Sequence, residues 1–159
     1  MRSEVRFQCI QRTCNSKGTI KLLDKFLWIF NKKRRICIPI NTKIGYGLYI
    51  GYGGPIIVSP SAVIGNNVNL SQFTKIGSND GKAATIGDNV YVGQNVCIVE
   101  DVEIGDDVTI GAGSVVTKTI PNNATAADNY AKVLNYNNPG RYVKNRWNFI
   151  KWCFKYQRN

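Results

Sequence analysis

Aliphatic residues recur in this chain at six-residue steps. They fall at Ile38, Ile44, Ile50 and Ile56; after a two-residue slip, at Val58, Ile64, Leu70 and Ile76; and after an insertion, at Ile86, Val92, Ile98, Ile104, Ile110 and Val116. Glycine follows the aliphatic residue at Gly45, Gly51, Gly65, Gly77, Gly87, Gly93, Gly105 and Gly111. A small or β-branched residue sits four places after it, as at Thr42, Val68, Thr74, Val90 and Ser114.

Neither a strand alternation of two nor a helical period of 3.6 generates this lattice. Each six-residue unit reads as one short strand and one tight turn: the aliphatic residue points inward, glycine relaxes the turn, and the small residue fits the interior. Such units cannot bury a core alone. They do so by stacking into a solenoid whose successive coils pair their backbones at strand spacing. The sequence therefore predicts a solenoid over 38–131. The polar insertion that breaks the lattice is expected to leave it as a loop, 77–85, on a binding face.

Charge separates the ends from this body. Residues 1–37 carry ten Lys/Arg against Glu4 and Asp24, residues 38–131 carry four against eight acidic residues, and residues 132–159 carry seven against none. Basic ends favour anions such as phosphate-bearing molecules, anionic glycans or lipid headgroups. Leu22, Leu23, Phe26, Leu27 and Phe30, spaced by three and four after Thr19, predict a helical cap in 1–37. Aromatics interleaved with Lys and Arg in 132–159 predict a helical tail, with peripheral membrane contact as a second use. Nothing matches a nucleic-acid module, so no nucleic-acid partner is expected. Five cysteines without a CxxC pair, together with no histidine at all, indicate reduced thiols and no metal site. No apolar stretch approaches the length of a membrane span or a leader, and the expected location is cytoplasmic.

The motifs IGDNVY, VGQNVC, IGDDVT and IGAGSV resemble the hexapeptide-repeat acyltransferases. TKIGYGLYIGYGGPIIV and GAGSVVTKTIPNNATAADNYAKVL resemble in particular the serine acetyltransferase-like branch. The resemblance implies an all-β solenoid, a left-handed parallel β-helix, assembled as a homotrimer with sites between subunits. It also implies acetyl-CoA as acyl donor and a small-molecule or glycan hydroxyl as acceptor, either a sugar or polysaccharide precursor or a serine-like molecule.

In those enzymes a histidine takes the proton from the attacking hydroxyl, work that needs a base with a pKa near the working pH. The corresponding position in IGYGGPIIV is Tyr52. A tyrosine of ordinary pKa, about 10, is ionised only to about one part in a thousand at neutral pH. Three readings stay open: Tyr52 works as an activated phenolate, Asp80 of the insertion supplies a carboxylate base, or the chain is a catalytically degenerate relative kept for ligand binding or assembly. The donor-binding positions carried over by resemblance are Gly111, Ala112 and Gly113 in IGAGSVV, then Thr117, Lys118 and Lys132. Asp128 stands where that pattern has glycine. The γ-class carbonic anhydrases of the same fold use three histidine ligands, and a chain without histidine cannot build that site.

Overall fold

The computed structural model describes Ile29 and residues 35–39, 41–51, 54–78, 80–137, 139–140 and 142–143. These contain fifteen short strands: β1 (Ile36–Cys37), β2 (Lys43–Ile44), β3 (Tyr49–Ile50), β4 (Ile56–Val58), β5 (Val63–Ile64), β6 (Asn69–Leu70), β7 (Lys75–Gly77), β8 (Thr85–Ile86), β9 (Tyr91–Val92), β10 (Cys97–Val99), β11 (Glu103–Ile104), β12 (Thr109–Ile110), β13 (Val115–Val116), β14 (Thr125–Ala127) and β15 (Lys132–Asn135). Every third strand joins the same sheet. Sheet 1 runs β1-β4-β7-β10-β13, sheet 2 runs β2-β5-β8-β11, and sheet 3 runs β3-β6-β9-β12-β14-β15. All pairs are parallel except β14 with β15. The fold is a three-sided parallel β-helix.

Its core is three stacked ladders of the predicted aliphatic residues. Sheet 2 stacks Ile44, Ile64, Ile86 and Ile104, continued by a bridge to Ile120. Sheet 3 stacks Ile50, Leu70, Val92, Ile110 and Ala126. Sheet 1 stacks Val58, Ile76, Ile98 and Val116, while Ile56 meets Ile36. The two-residue slip is absorbed inside β4, where Ile56 and Val58 both point inward and Ile57 points out. Ile36, which the six-residue count passes over, is the buried residue of β1 and pairs with Ile56, while Ile38 packs partly buried against the core. Each fully buried isoleucine contributes about 1.5–3 kcal/mol.

The three edges are built differently. Between sheets 2 and 3, an amide and carboxylate column ties coil to coil. Asn66 Oδ1 accepts the Tyr46 N–H, Asp88 Oδ1 the Asn66 N–H (2.7 Å), Asp106 Oδ1 the Asp88 N–H (2.7 Å), and Asn122 Oδ1 the Asp106 N–H (2.9 Å). Asn67, Asn89, Asp107 and Asn123 beside them adopt left-handed backbone, which Asn and Asp tolerate better than other side chains. The insertion leaves the lattice between sheets 1 and 2, from the end of β7 to the start of β8.

The C-terminal part departs from its expected helical form at its start. Residues 132–135 are a strand, β15, which turns back antiparallel on β14 and pairs an edge that would otherwise present unsatisfied backbone groups. The chain then reverses along the outside of sheet 3. The Gly140 N–H donates to the Asp107 carbonyl (2.7 Å), the Tyr142 ring lies 5.0 Å from that of Tyr91, and the Tyr142 carbonyl accepts from Asn69 Nδ2 (3.2 Å). Of the helical cap expected in 1–37, Ile29 is helical but Ile36–Cys37 is strand β1, because Ile36 pairs with Ile56 in sheet 1. The cap's remaining residues apart from Arg35, and the aromatic run of 144–159, lie outside the described residues. No helix among the described residues is long and apolar enough to cross a membrane.

Candidate active site

The edge between sheets 3 and 1 collects Gly111, Ala112, Gly113 and Lys132 of the residues singled out by sequence. Its corners follow the last residue of each sheet 3 strand, so Gly51, Ser71, Gly93, Gly111 and Ala127 stack in a column. Their register is fixed by N–H bonds from Gly51 to Leu70, Ser71 to Val92, Gly93 to Ile110 and Gly111 to Ala126, at 2.8–3.0 Å. Side chains are excluded at two of these corners. A Cβ at Gly93 would lie 2.7 Å from the Ala112 nitrogen, and one at Gly111 would lie 2.9 Å from the Ala127 Cβ. At strand spacing, the column from Gly51 to Gly111 is about 14 Å long.

Along its rim the Gln72 Nε2 donates to Gln94 Oε1 (3.0 Å), and the Gly113 N–H donates to the Gln94 carbonyl (2.9 Å). Gly113 has a φ of 75°, the left-handed region that glycine occupies without cost, and no atom lies within 4 Å of a Cβ built there. The end of the column is closed by β15, where Lys132 pairs with Ala127 and is exposed. Gly111, Ala112, Gly113 and Lys132 are thus brought to one edge, flanking Ala127. Asp128, also here, has one carboxylate oxygen engaged by the Asn129 N–H (2.7 Å).

The remaining candidates divide. Tyr52 lies outside the described residues; Gly51 before it and Gly54 after it belong to the first corner of this edge. Thr117 and Lys118 follow β13 and lie, exposed, on the edge between sheets 1 and 2. Asp80 is exposed in the insertion on that same edge. The insertion is anchored at its far end: Lys82 Nζ pairs with Asp101 (2.6 Å), the Ala83 N–H donates to Ser61 Oγ (3.1 Å), and Ala83 and Ala84 are buried. Its hydrogen bond to Asp101, and then the charge of Asp101, hold the Lys82 ammonium above its ordinary pKa. Because the folded-state pKa is raised, the pair is fully formed at neutral pH and is lost only as pH climbs past the lysine range. Within one chain, sheet 1 separates these residues from the glycine column.

Ser71, Gln72, Phe73 and Gln94, which share the edge with the glycines, were not singled out by sequence. The signal for them is the offset: 71 and 93 follow the sheet 3 aliphatic residue as 51 and 111 do. Among the described residues no group of three or more His, Cys, Asp or Glu side chains is placed to hold a metal. The arrangement offers small side chains that expose the backbone, the neutral amides of Gln72 and Gln94, and at its end the cation of Lys132 near the carboxylate of Asp128. That set fits an elongated donor with a polar amide-bearing arm and an anionic end better than a compact metal-bound ligand.

Residues 83–118 match the bacterial transferase hexapeptide (six repeats) family. Mitochondrial serine acetyltransferase 3 of Arabidopsis thaliana is 36% identical over 96 residues, 58% of this chain and 25% of its own. The solved Neisseria gonorrhoeae serine acetyltransferase in complex with serine is 27% identical with a TM-score of 0.67, covering 80% of this chain and 54% of that one. A serine acetyltransferase in complex with CoA shares the fold, with a TM-score of 0.68 at 24% identity, covering 82% of this chain and 55% of that one. The chain thus spans a quarter of the curated relative's length and little more than half of the solved ones.

Proposed function

We propose that this hexapeptide-repeat, serine acetyltransferase-like chain transfers an acetyl group from acetyl-CoA to a hydroxyl acceptor, a sugar or a serine-like molecule. The observation that carries the reading is the edge between sheets 3 and 1, on which Gly111, Ala112, Gly113 and Lys132 converge beside the column leading back to Gly51. On this reading the donor's arm lies along the column, where small residues let it approach the backbone. Its phosphates meet Lys132, with Thr117 and Lys118 as further contacts. The acceptor oxygen attacks the thioester carbonyl carbon while its proton passes to a base, and the CoA sulfur leaves with the electron pair of the broken C–S bond. Tyr52, next to Gly51, and Asp80 are the two groups proposed for that base.

Asp80, Thr117 and Lys118 sit on one edge of the prism and the glycine column on another. This division supports a site shared between copies, so that one chain's insertion faces the next chain's column; the left-handed helix and the trimer are carried over from the family resemblance. The absence of histidine favours a second reading, a catalytically degenerate relative that binds ligand without turning it over. Release of free CoA thiol from acetyl-CoA, followed with serine and with methyl glycosides as acceptors, separates the two. Acceptor-dependent thiol release supports the transferase. CoA binding without acceptor-dependent release supports the binding protein.

A further inference from the structure

The charged residues of the prism are sorted along its axis. Residues 35–79, which build the first two coils and strand β7 of the third, carry Arg35, Lys43 and Lys75, all exposed, and no Asp or Glu. Residues 80–128, which build the rest of the solenoid, carry eight acidic residues against Lys82 and Lys118. The two ends therefore differ in sign, and the first coil, β1 to β3, is the cationic end. Each of these three strands ends its sheet.

The course of the chain joins both basic termini to that same end. Residues 1–34, with nine Lys/Arg against Glu4 and Asp24, lead into β1 in the first coil. The C-terminal segment starts from the opposite end, at β15, but does not stay there. Its contacts climb sheet 3 coil by coil: the Gly140 N–H donates to the Asp107 carbonyl beside β12, the Tyr142 ring lies against Tyr91 of β9, and the Tyr142 carbonyl accepts from Asn69 of β6. Val143, the next residue, is 5% exposed, so the returning segment is packed in place. From β15 to β6 the climb is four strand spacings, about 19 Å. Residues 144–159, with five Lys/Arg and no acidic residue, thus depart one strand short of β3 and the first coil.

Cations gathered on one end suit an extended anionic partner, and the residue types beside them select which one. Leu22, Phe26 and Trp28 share the first segment with its basic residues, and Trp147, Trp152 and Phe154 share the last. Tyr49 and Ile57 add exposed apolar surface on the first two coils. Nucleic acid stacks on aromatic rings but offers nothing to the aliphatic residues. The interface of a bilayer takes cations at its headgroups and both aromatic and aliphatic side chains just beneath them. We infer that the first-coil end of this chain is a docking surface for an anionic lipid bilayer, which both termini engage together. In that orientation the Gly51 corner stands on the membrane side, and Lys132 of β15, five strand spacings or about 24 Å away along sheet 3, stands on the water side. The inference is independent of the transferase reading.

All three tryptophans, Trp28, Trp147 and Trp152, lie in the two terminal segments, so intrinsic fluorescence reads these segments alone. With vesicles of phosphatidylcholine and phosphatidylglycerol, emission of the full chain should shift to the blue and be quenched by brominated acyl chains. Co-sedimentation in about 0.1 M salt should give a partition coefficient at least tenfold above that for phosphatidylcholine alone. Lys32→Glu with Lys33→Glu and Arg34→Glu, and separately Lys151→Glu with Lys155→Glu and Arg158→Glu, should each lower that coefficient at least tenfold. Both variants should melt within about 4 °C of the parent. Glu103→Lys, exposed in β11 among the acidic coils, should leave the coefficient within about twofold of the parent's. Equal partition onto the two vesicle types, or unchanged emission, overturns the inference. So does a rise in Glu103→Lys, which would show that net charge and not this end governs binding. A loss in only one of the two triple variants would show that the termini do not act together, and tighter binding of a polyuridine oligonucleotide than of the anionic vesicles would give the end to nucleic acid; either result overturns it. Should a terminal variant melt earlier, the two vesicle types and Glu103→Lys decide the matter with the fold intact.

Discussion

A Cβ built at Gly87 would lie 2.8 Å from the Gly105 carbonyl carbon and 2.9 Å from its oxygen, whereas at Gly77 nothing lies within 4 Å. Both glycines follow a ladder isoleucine, but Gly87 sits on the edge where the Asp106 side chain crosses to the coil above, and Gly77 ends β7 where the insertion departs. Gly87→Ala should cost about 1–3 kcal/mol as the coils are forced apart. Gly77→Ala should stay within about 0.5 kcal/mol. Urea denaturation of the two variants checks the contrast, and equal losses would show that the edge does not pack as described. Tyr52 carries the functional prediction at this scale. General-base catalysis contributes about 10²- to 10⁴-fold, so Tyr52→His, with a pKa near 6.5 for the new group, should raise thiol release from acetyl-CoA if tyrosine is a poor base. A large loss in Tyr52→Phe without a gain in Tyr52→His would identify a tuned phenolate instead, and no change in either would take Tyr52 out of the proton path.

Each strand contributes only one or two residues to the interior, so the stability of an element is its ladder. Ile98 is fully buried between Ile76 and Val116 in sheet 1, and Ile98→Ala should cost about 2–5 kcal/mol in chemical denaturation. A loss under 1 kcal/mol would mean that the ladder relaxes into the space. These ladders were legible in the sequence because their residues are aliphatic and six apart, a pattern local enough to read directly. What joins one coil to the next was not. Asp88 reaches Asn66 across 22 residues and Asp106 across 18, the difference arising from the insertion, so no fixed period announces the amide and carboxylate column. Ile36 escaped notice because it stands eight residues before Ile44, so counting back in sixes lands on Ile38. At the candidate site the glycines and Lys132 were legible through a family motif. Phe73 and Gln94 were hidden because their significance lies in stacking rather than in residue type.

At the scale of the whole molecule, a prism this narrow buries its aliphatic column and leaves the residues of the proposed site on two separate edges. In the proposed shared site, association of copies would bring Asp80 of one chain toward the glycine column of another. Light scattering at micromolar concentration should therefore report a trimer, and a stable monomer would remove the shared site. The central claim is that an acyl-CoA lies along the edge between sheets 3 and 1 with its phosphates at Lys132, and calorimetric titration of CoA into the parent and Lys132→Glu tests it most directly. Replacing a charge-assisted contact by repulsion should weaken binding more than tenfold in the variant while its melting temperature stays near that of the parent, because Lys132 is exposed. Equal affinity in the two proteins, or no binding by the parent, would contradict it.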